Sequence, residues 1–185
     1  MLSNARAMES VKIVLFSIVA GVLYGIAHDQ ITARICIEYF TVFHPPLIAT
    51  DSPTLLGLAW GLVATWWAGA ILGLALAIAA RGGSRTKLSA RDVLPLIARL
   101  LPVMAAAAVL FGIAGFVLAN KGMIHPPLWV RSQLPLQRFP NFMADWWAHS
   151  ASYGSAFLGG AVLCVIAYRK RRSTQPDASP VQQGK

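Results

Sequence analysis

The chain has 185 residues, of which 56% are hydrophobic and 12% charged, with a formal net charge of +9 and a mean hydropathy of +0.58. A soluble domain carries about a quarter charged residues, so this supply is too small for an ordinary soluble fold. The charges fall in short stretches between long apolar runs. That pattern excludes a nucleic-acid surface, which needs basic residues gathered into one patch, and describes a chain that crosses a lipid bilayer several times.

Four spans are expected, at about 11–28, 53–80, 93–119 and 141–168. The first is short for a crossing, which takes about 20 residues, and the polar segment after it can extend it. A cleaved signal peptide is its rival, with Arg6 and Lys12 as the basic region; Tyr24 and Ile26 make the required small-residue site poor. Pro53 suits the first turn of span two. Pro95 would sit in the first turn of span three, and Pro102 is expected to kink it. The fourth opens with Asp145 and His149 among Trp146 and Trp147.

Orientation follows from the basic residues. Arg6, Lys12, Arg81, Arg85, Lys87, Arg91, Arg99, Arg169, Lys170, Arg171, Arg172 and Lys185 flank one side of this arrangement, against Arg34, Lys121, Arg131 and Arg138 on the other. The excess predicts both termini and the middle loop in the cytoplasm. In a bacterial inner membrane, loops 29–52 and 120–140 would then be extracytoplasmic. Residues 1–172 form the membrane domain, and the polar tail 173–185 is expected to be disordered. The fold class is an all-α membrane protein, a four-transmembrane-helix bundle with an ordered extracytoplasmic loop cap.

The polar segment at 24–46 is the richest. From Thr32 to Glu38 polar residues fall on every second position, with Ile31, Ala33, Ile35 and Ile37 between them. That is strand periodicity, and an extended or re-entrant segment is the preferred reading. A helix stays open, because neither Gly nor Pro interrupts 26–44. In either form Arg34 and Glu38 share a side and can pair. Asp29, Gln30, Arg34, Glu38, His44 and His125 are the expected polar cap. His44 and His125 each precede a Pro-Pro pair that stiffens the loop.

The residues Gly25, Ile26, His28, Asp29, Gln30, Thr32, Arg34, Cys36, Glu38, Tyr39, Phe40, Thr41, His44 and Pro45 form the pattern GIxHDQxTxRxCxEYFTxxHP. With Trp60-Gly61, Thr65-Trp66-Trp67 and Trp147-Ala148-His149, this resembles a family of small, uncharacterised bacterial four-span inner-membrane proteins. The resemblance covers most of the chain. It implies the four-span topology and assigns no activity or site residue.

Three strings recur in order: Tyr-Gly-Ile-Ala at 24–27 as Phe-Gly-Ile-Ala at 111–114, His-Pro-Pro-Leu at 44–47 and 125–128, and Trp-Trp-Ala at 66–68 and 146–148. Duplication of a two-span unit would produce them. So would coincidence, and the unequal depths of the two Trp-Trp pairs favour coincidence.

All four histidines, His28, His44, His125 and His149, fall on the predicted outer side, with Asp29, Glu38, Asp51, Asp145 and Cys36. Imidazole is the commonest metal-binding side chain. Asp145 and His149 are four apart and share a helix face, and with His28 they form the candidate metal site. No HxH, HxxxH or CxxC spacing is present, so a site must be assembled across segments. Haem b is the variant, ligated by His28 and His149. Cys36 and Cys164 lie at different depths and are not expected to bridge, which excludes a quinone-linked disulfide-forming enzyme. No charged path crosses the spans, which argues against an ion pump.

Gly57, Gly61, Gly69 and Gly73 form two small-xxx-small pairs, and Ser152, Ser155, Ala156, Gly159 and Gly160 a similar face. These pack helices within the bundle or dock another membrane subunit or a second copy. The leading expectation is a non-enzymatic inner-membrane accessory or assembly subunit in contact with the lipid bilayer. The alternative is a metal- or haem-b-binding redox protein.

Overall fold

A computed structural model describes residues 2–173, with side chains from 7 to 171; the expected tail beyond Ser173 lies outside the described residues. The chain forms α1 (Leu2–Ile35), α2 (Glu38–Thr41), α3 (Pro53–Val63), α4 (Trp66–Arg81), α5 (Ala90–Asn120), α6 (Leu128–Arg131), a 3-10 turn (Leu136–Arg138) and α7 (Phe139–Ser173). No strand occurs among the described residues. Four stretches are long and apolar enough to cross a membrane: Ala7–Ile35, Pro53–Arg81, Ala90–Asn120 and Leu136–Arg171. The protein is all-α with four candidate spans, suited to a lipid environment.

The extended reading of 32–38 is wrong. α1 stays helical through Ile35, and α2 follows within three residues. At membrane depth a helix satisfies its own backbone, whereas an extended segment would need a partner strand. The decisive spacing is that of burial. Asp29, Thr32, Ala33 and Cys36 are buried while Ile31 and Arg34 are exposed, which is the three-to-four-residue repeat of a helix. The expected Arg34–Glu38 pair is also absent. Arg34 donates to the Gln30 carbonyl, to Gln30 Oε1 (3.0 Å) and to Thr54 Oγ1 (2.8 Å). Glu38 instead receives two bonds from Arg138, at 2.9 and 2.7 Å.

Span two is interrupted between Val63 and Trp66. The freed carbonyls are covered by side chains. Thr65 Oγ1 donates to Gly61 O (2.5 Å), and Tyr153 Oη from α7 donates to Ala64 O (2.8 Å). Span three runs unbroken through Pro95 and Pro102, opened by a capping box between Ser89 and Asp92.

The helices pack as two hairpins. α1 lies along α3 and α4, α5 lies along α7, and the hairpins meet through α4–α7 and α1–α5. The first seam is close because it has no Cβ atoms at its crossing points. A Cβ at Gly61 would lie 2.5 Å from Ile26 Cα, and one at Gly69 would lie 2.7 Å from Ser17 O. Gly57 and Gly73 meet α1 as well, while Gly159 and Gly160 abut Leu100 and Leu72. The small-residue faces are therefore used inside the bundle.

The loops at one end interlock over a core that includes Tyr39, Phe40, Val130, Leu134 and Phe142. Asn141 Nδ2 ties this cap to the Ile35 carbonyl at 3.0 Å. At the opposite, basic end, Arg171 is 1% exposed. It donates to Ala79 O (2.9 Å), Gly82 O (2.6 Å) and Thr86 O (2.8 Å), so a cation closes the carbonyl-rich C-terminus of α4.

Substituting Gly61→Val forces α1 away from α3 and should destabilise the protein by about 1–3 kcal/mol. A lowered melting temperature in detergent would show this, with Gly154→Ala, whose Cβ meets nothing within 4 Å, unchanged.

Candidate functional site

The helical course of α1 places Tyr24 and His28 one turn apart, with Asp29 adjacent. On α7, Asp145, His149 and Ser152–Tyr153 repeat at helical spacing and face them. α2 and the turn after it bring Tyr39 and His44, and α3 brings Trp60. Three of the four histidines thus converge beneath the cap. The ring centroids of His28 and His149 are 4.5 Å apart, those of Tyr39 and His149 4.4 Å, of Tyr39 and His44 4.9 Å, and of His44 and Trp60 4.9 Å. His125 does not join them; it is exposed.

His149 reveals the chemistry. Its Nδ1 lies 2.8 Å from the Asp145 carbonyl oxygen. A carbonyl only accepts, so Nδ1 carries a proton. Its Nε2 lies 3.1 Å from Asp29 Oδ1. A neutral imidazole with its proton on Nδ1 turns a lone pair toward a carboxylate there. That contact needs a proton or a cation between the two atoms. His28 adds a second donor, since its Nε2 is buried without a hydrogen-bond partner among the described residues. One ligand atom from each of His28, Asp29 and His149 lies within 4.8 Å of the others.

The surroundings add a second carboxyl group, on Asp145. Asp145 is fully buried, and neither of its carboxyl oxygens has a hydrogen-bond partner among the described residues. The nearby guanidinium groups are engaged elsewhere, Arg138 with Glu38 and Arg34 with Gln30 and Thr54. Cys36 is buried and donates to Glu38 Oε2 (3.3 Å). Burial, with Asp145 and Glu38 nearby, pushes its thiol up to about 12, so it is no thiolate ligand at neutral pH. Burial lowers the pKa of His44, whose Nδ1 donates to Tyr39 O (2.8 Å). Its Nε2 therefore carries a lone pair.

Of the residues named as a candidate metal site, the structure brings His28 and His149 together. The Asp145 side chain does not join them, although its carbonyl accepts from His149 Nδ1, while Asp29, expected in the polar cap, lies with the two histidines. Gln30 holds α3, with Nε2 donating to Thr54 O at 2.9 Å. The haem variant does not fit, because rings in edge contact at 4.5 Å leave no room for a porphyrin between them. Tyr39, Trp60 and Tyr153 were missed. Tyr153 lies four residues from His149 on α7 and follows from helical spacing; nothing in the spacing flags Tyr39 or Trp60.

From this cluster a cavity of about 140 Å³ runs between the hairpins toward Leu76, Ile97 and Leu163 near the basic end. Its walls are almost wholly apolar. Comparison of the chain with models of protein families, with curated proteins and with solved structures finds no match.

Glu38 supplies a pH test of the cap. Partial burial pushes its carboxyl up, but the hydrogen bonds and charge of Arg138 outweigh this and hold it below its ordinary 4.5. A depressed folded value stabilises the protein above the unfolded value and is lost as pH falls through the folded one. The melting-temperature gap between the wild type and Glu38→Gln should be full at neutral pH and close as pH falls below about 4.5.

Proposed function

We propose that this is an inner-membrane protein that holds a divalent transition-metal ion through His28, Asp29 and His149. The observation that carries the reading is His149 Nε2 at 3.1 Å from Asp29 Oδ1, its Nδ1 donating to the Asp145 carbonyl, with the unpartnered His28 Nε2 beside both. Donors sharing one ion at about 2.0–2.2 Å lie within roughly 4.4 Å of one another, so small side-chain shifts suffice. Two imidazoles and one carboxylate suit zinc or ferrous iron and leave coordination positions open. The Asp145 carbonyl would orient His149, as outer partners of metal-bound histidines do. The ion's charge would offset Asp29.

The accessory-subunit reading drew on small-residue faces free to dock a partner. Those faces are spent on internal seams, so the metal site is the better-supported reading. The basic end is assigned to the cytoplasm by its excess of Lys and Arg, and the capped end with the metal site to the opposite side.

Protein purified in detergent and equilibrated with Zn²⁺ or Co²⁺ should retain one ion per chain, measured by elemental analysis. His28→Ala, Asp29→Ala and His149→Ala should each weaken binding by more than about tenfold, while Asp145→Asn, which keeps the backbone carbonyl, should retain the ion. A folded wild type that binds no ion would sink the reading. For orientation, a cysteine placed at Gln133 in the cap should react with a membrane-impermeant thiol reagent in intact spheroplasts, and one placed at Ser84 only after lysis.

A further inference from the structure

Arg99 lies nine residues inside α5, about 13 Å from Ala90 at 1.5 Å per residue, and it is exposed. Its depth follows from its neighbours. The next residue, Leu100, fills the place where a Cβ on Gly159 of α7 would fall, and Leu72 of α4 does the same for Gly160. From that level α4 continues for nine residues to Arg81, and α7 continues for ten from Gly159 to Arg169, roughly 13–15 Å of helix. Over this length their outward faces carry Leu74, Ile78, Val162, Val165 and Ile166, all exposed. On α5 itself, exposed Leu94 and Val103 flank Arg99. A guanidinium therefore stands on the lipid-facing surface, level with apolar side chains. Such a charge is costly unless it reaches an anion or the headgroup zone.

The protein does not supply the anion. Arg99 has no hydrogen bond or ion pair among the described residues. The acidic residues at the basic end are engaged: Glu9 with Lys12 and the Ala90 amide, and Asp92 with Ser89 and Lys170. The other described acidic residues, Asp29, Glu38, Asp51 and Asp145, belong to the capped end, so the described residues of a second copy bring no carboxylate to this level. The anion has to come from elsewhere. Side chains on a helix lean toward its N-terminus, which for α5 is the basic end, so Arg99 reaches toward the membrane surface. Pro95 lies one turn below it and Arg91 one turn below that, both exposed. The short Pro95 ring leaves the surface between the two guanidinium groups open.

We infer that Arg99 and Arg91 hold the phosphate of an anionic phospholipid in the leaflet at the basic end, its acyl chains running past Val103 toward the bilayer centre. The planar guanidinium matches phosphate oxygens in paired hydrogen bonds. Two cations with no unpaired carboxylate beside them favour a head of net negative charge, and they repel the ammonium of a zwitterionic one. The inference is independent of the metal reading.

The full chain in detergent is titrated with phosphatidylglycerol and, separately, with phosphatidylcholine of the same acyl chains, and native mass spectrometry counts the lipid retained. One phosphatidylglycerol per chain should bind about tenfold or more tighter than phosphatidylcholine. Arg99→Gln should weaken it about tenfold, the scale of a lost hydrogen bond to a charged group, and Arg91→Gln about fivefold, the scale of one cation facing anionic lipid. Lys121→Gln, which removes an exposed cation at the capped end, should change nothing. Melting temperatures without added lipid should match the wild type, as for other exposed side chains. Equal retention of the two lipids overturns the inference, and so does an equal loss in Lys121→Gln, which would reduce the effect to net charge. Displacement of the lipid by glycerol 3-phosphate also overturns it, by making the site one for a soluble phosphate. Unchanged retention in Arg99→Gln, with loss of a co-purifying membrane protein, overturns it and assigns the face to a partner helix. Should Arg99→Gln not fold, Arg91→Gln decides by the same readout: a fivefold loss sustains the inference and none overturns it.

Discussion

Backbone amides and carbonyls at membrane depth must find their partners inside the protein. The constraint keeps α1 helical beyond the apolar run that begins it, which in turn brings His28 and Asp29 onto a rigid element rather than a loop. It also explains the side chains at the break in span two. An open turn at Ala64 and Thr65 survives because Thr65 and Tyr153 cover the freed carbonyls. Tyr153 reaches there only because α7 lies beside α4, so the contact between the hairpins and the integrity of span two support one another. The interruption also shapes the cavity wall, since Trp60, Ala64 and Thr65 all line it.

The two ends of the bundle handle charge in opposite ways. At the basic end Arg171 is buried but surrounded by carbonyl oxygens, a setting in which a cation is well solvated by the protein itself. At the capped end carboxyl groups are buried among imidazoles. Glu38 is matched by Arg138 and Asp29 by His149 Nε2, while the Asp145 carboxyl has no hydrogen-bond partner among the described residues. Leaving a buried carboxyl ionised and unmatched costs several kcal/mol, on the order of the effective penalty for a buried ion, so the unpartnered group takes a proton instead.

Much of the architecture was legible. Hydropathy alone gives four apolar spans, because a crossing helix must be apolar over a fixed length. The outer histidines and the pair His28–His149 could be suspected from the position of each relative to its span. The alternating polar pattern at 32–38 misled, because side-chain alternation signals a strand only where a partner strand can exist. Arg34 and Glu38, four apart, looked like a pair, but each found a partner of better geometry from another element: Thr54 for one and Arg138 for the other. Neither partner can be read from spacing along the chain.

Composition and periodicity thus determined the number of spans, the all-α class and the segregation of basic residues, since these depend on properties summed along one element at a time. Tertiary structure decided which carboxylate meets the histidines, which histidine stands apart, and that a slot runs beneath them. Those outcomes depend on the rotation of α1 against α7 and on how closely α1 approaches span two. Both are set by backbone contacts at Gly61 and Gly69, and a contact between two helices has no signature in either one alone.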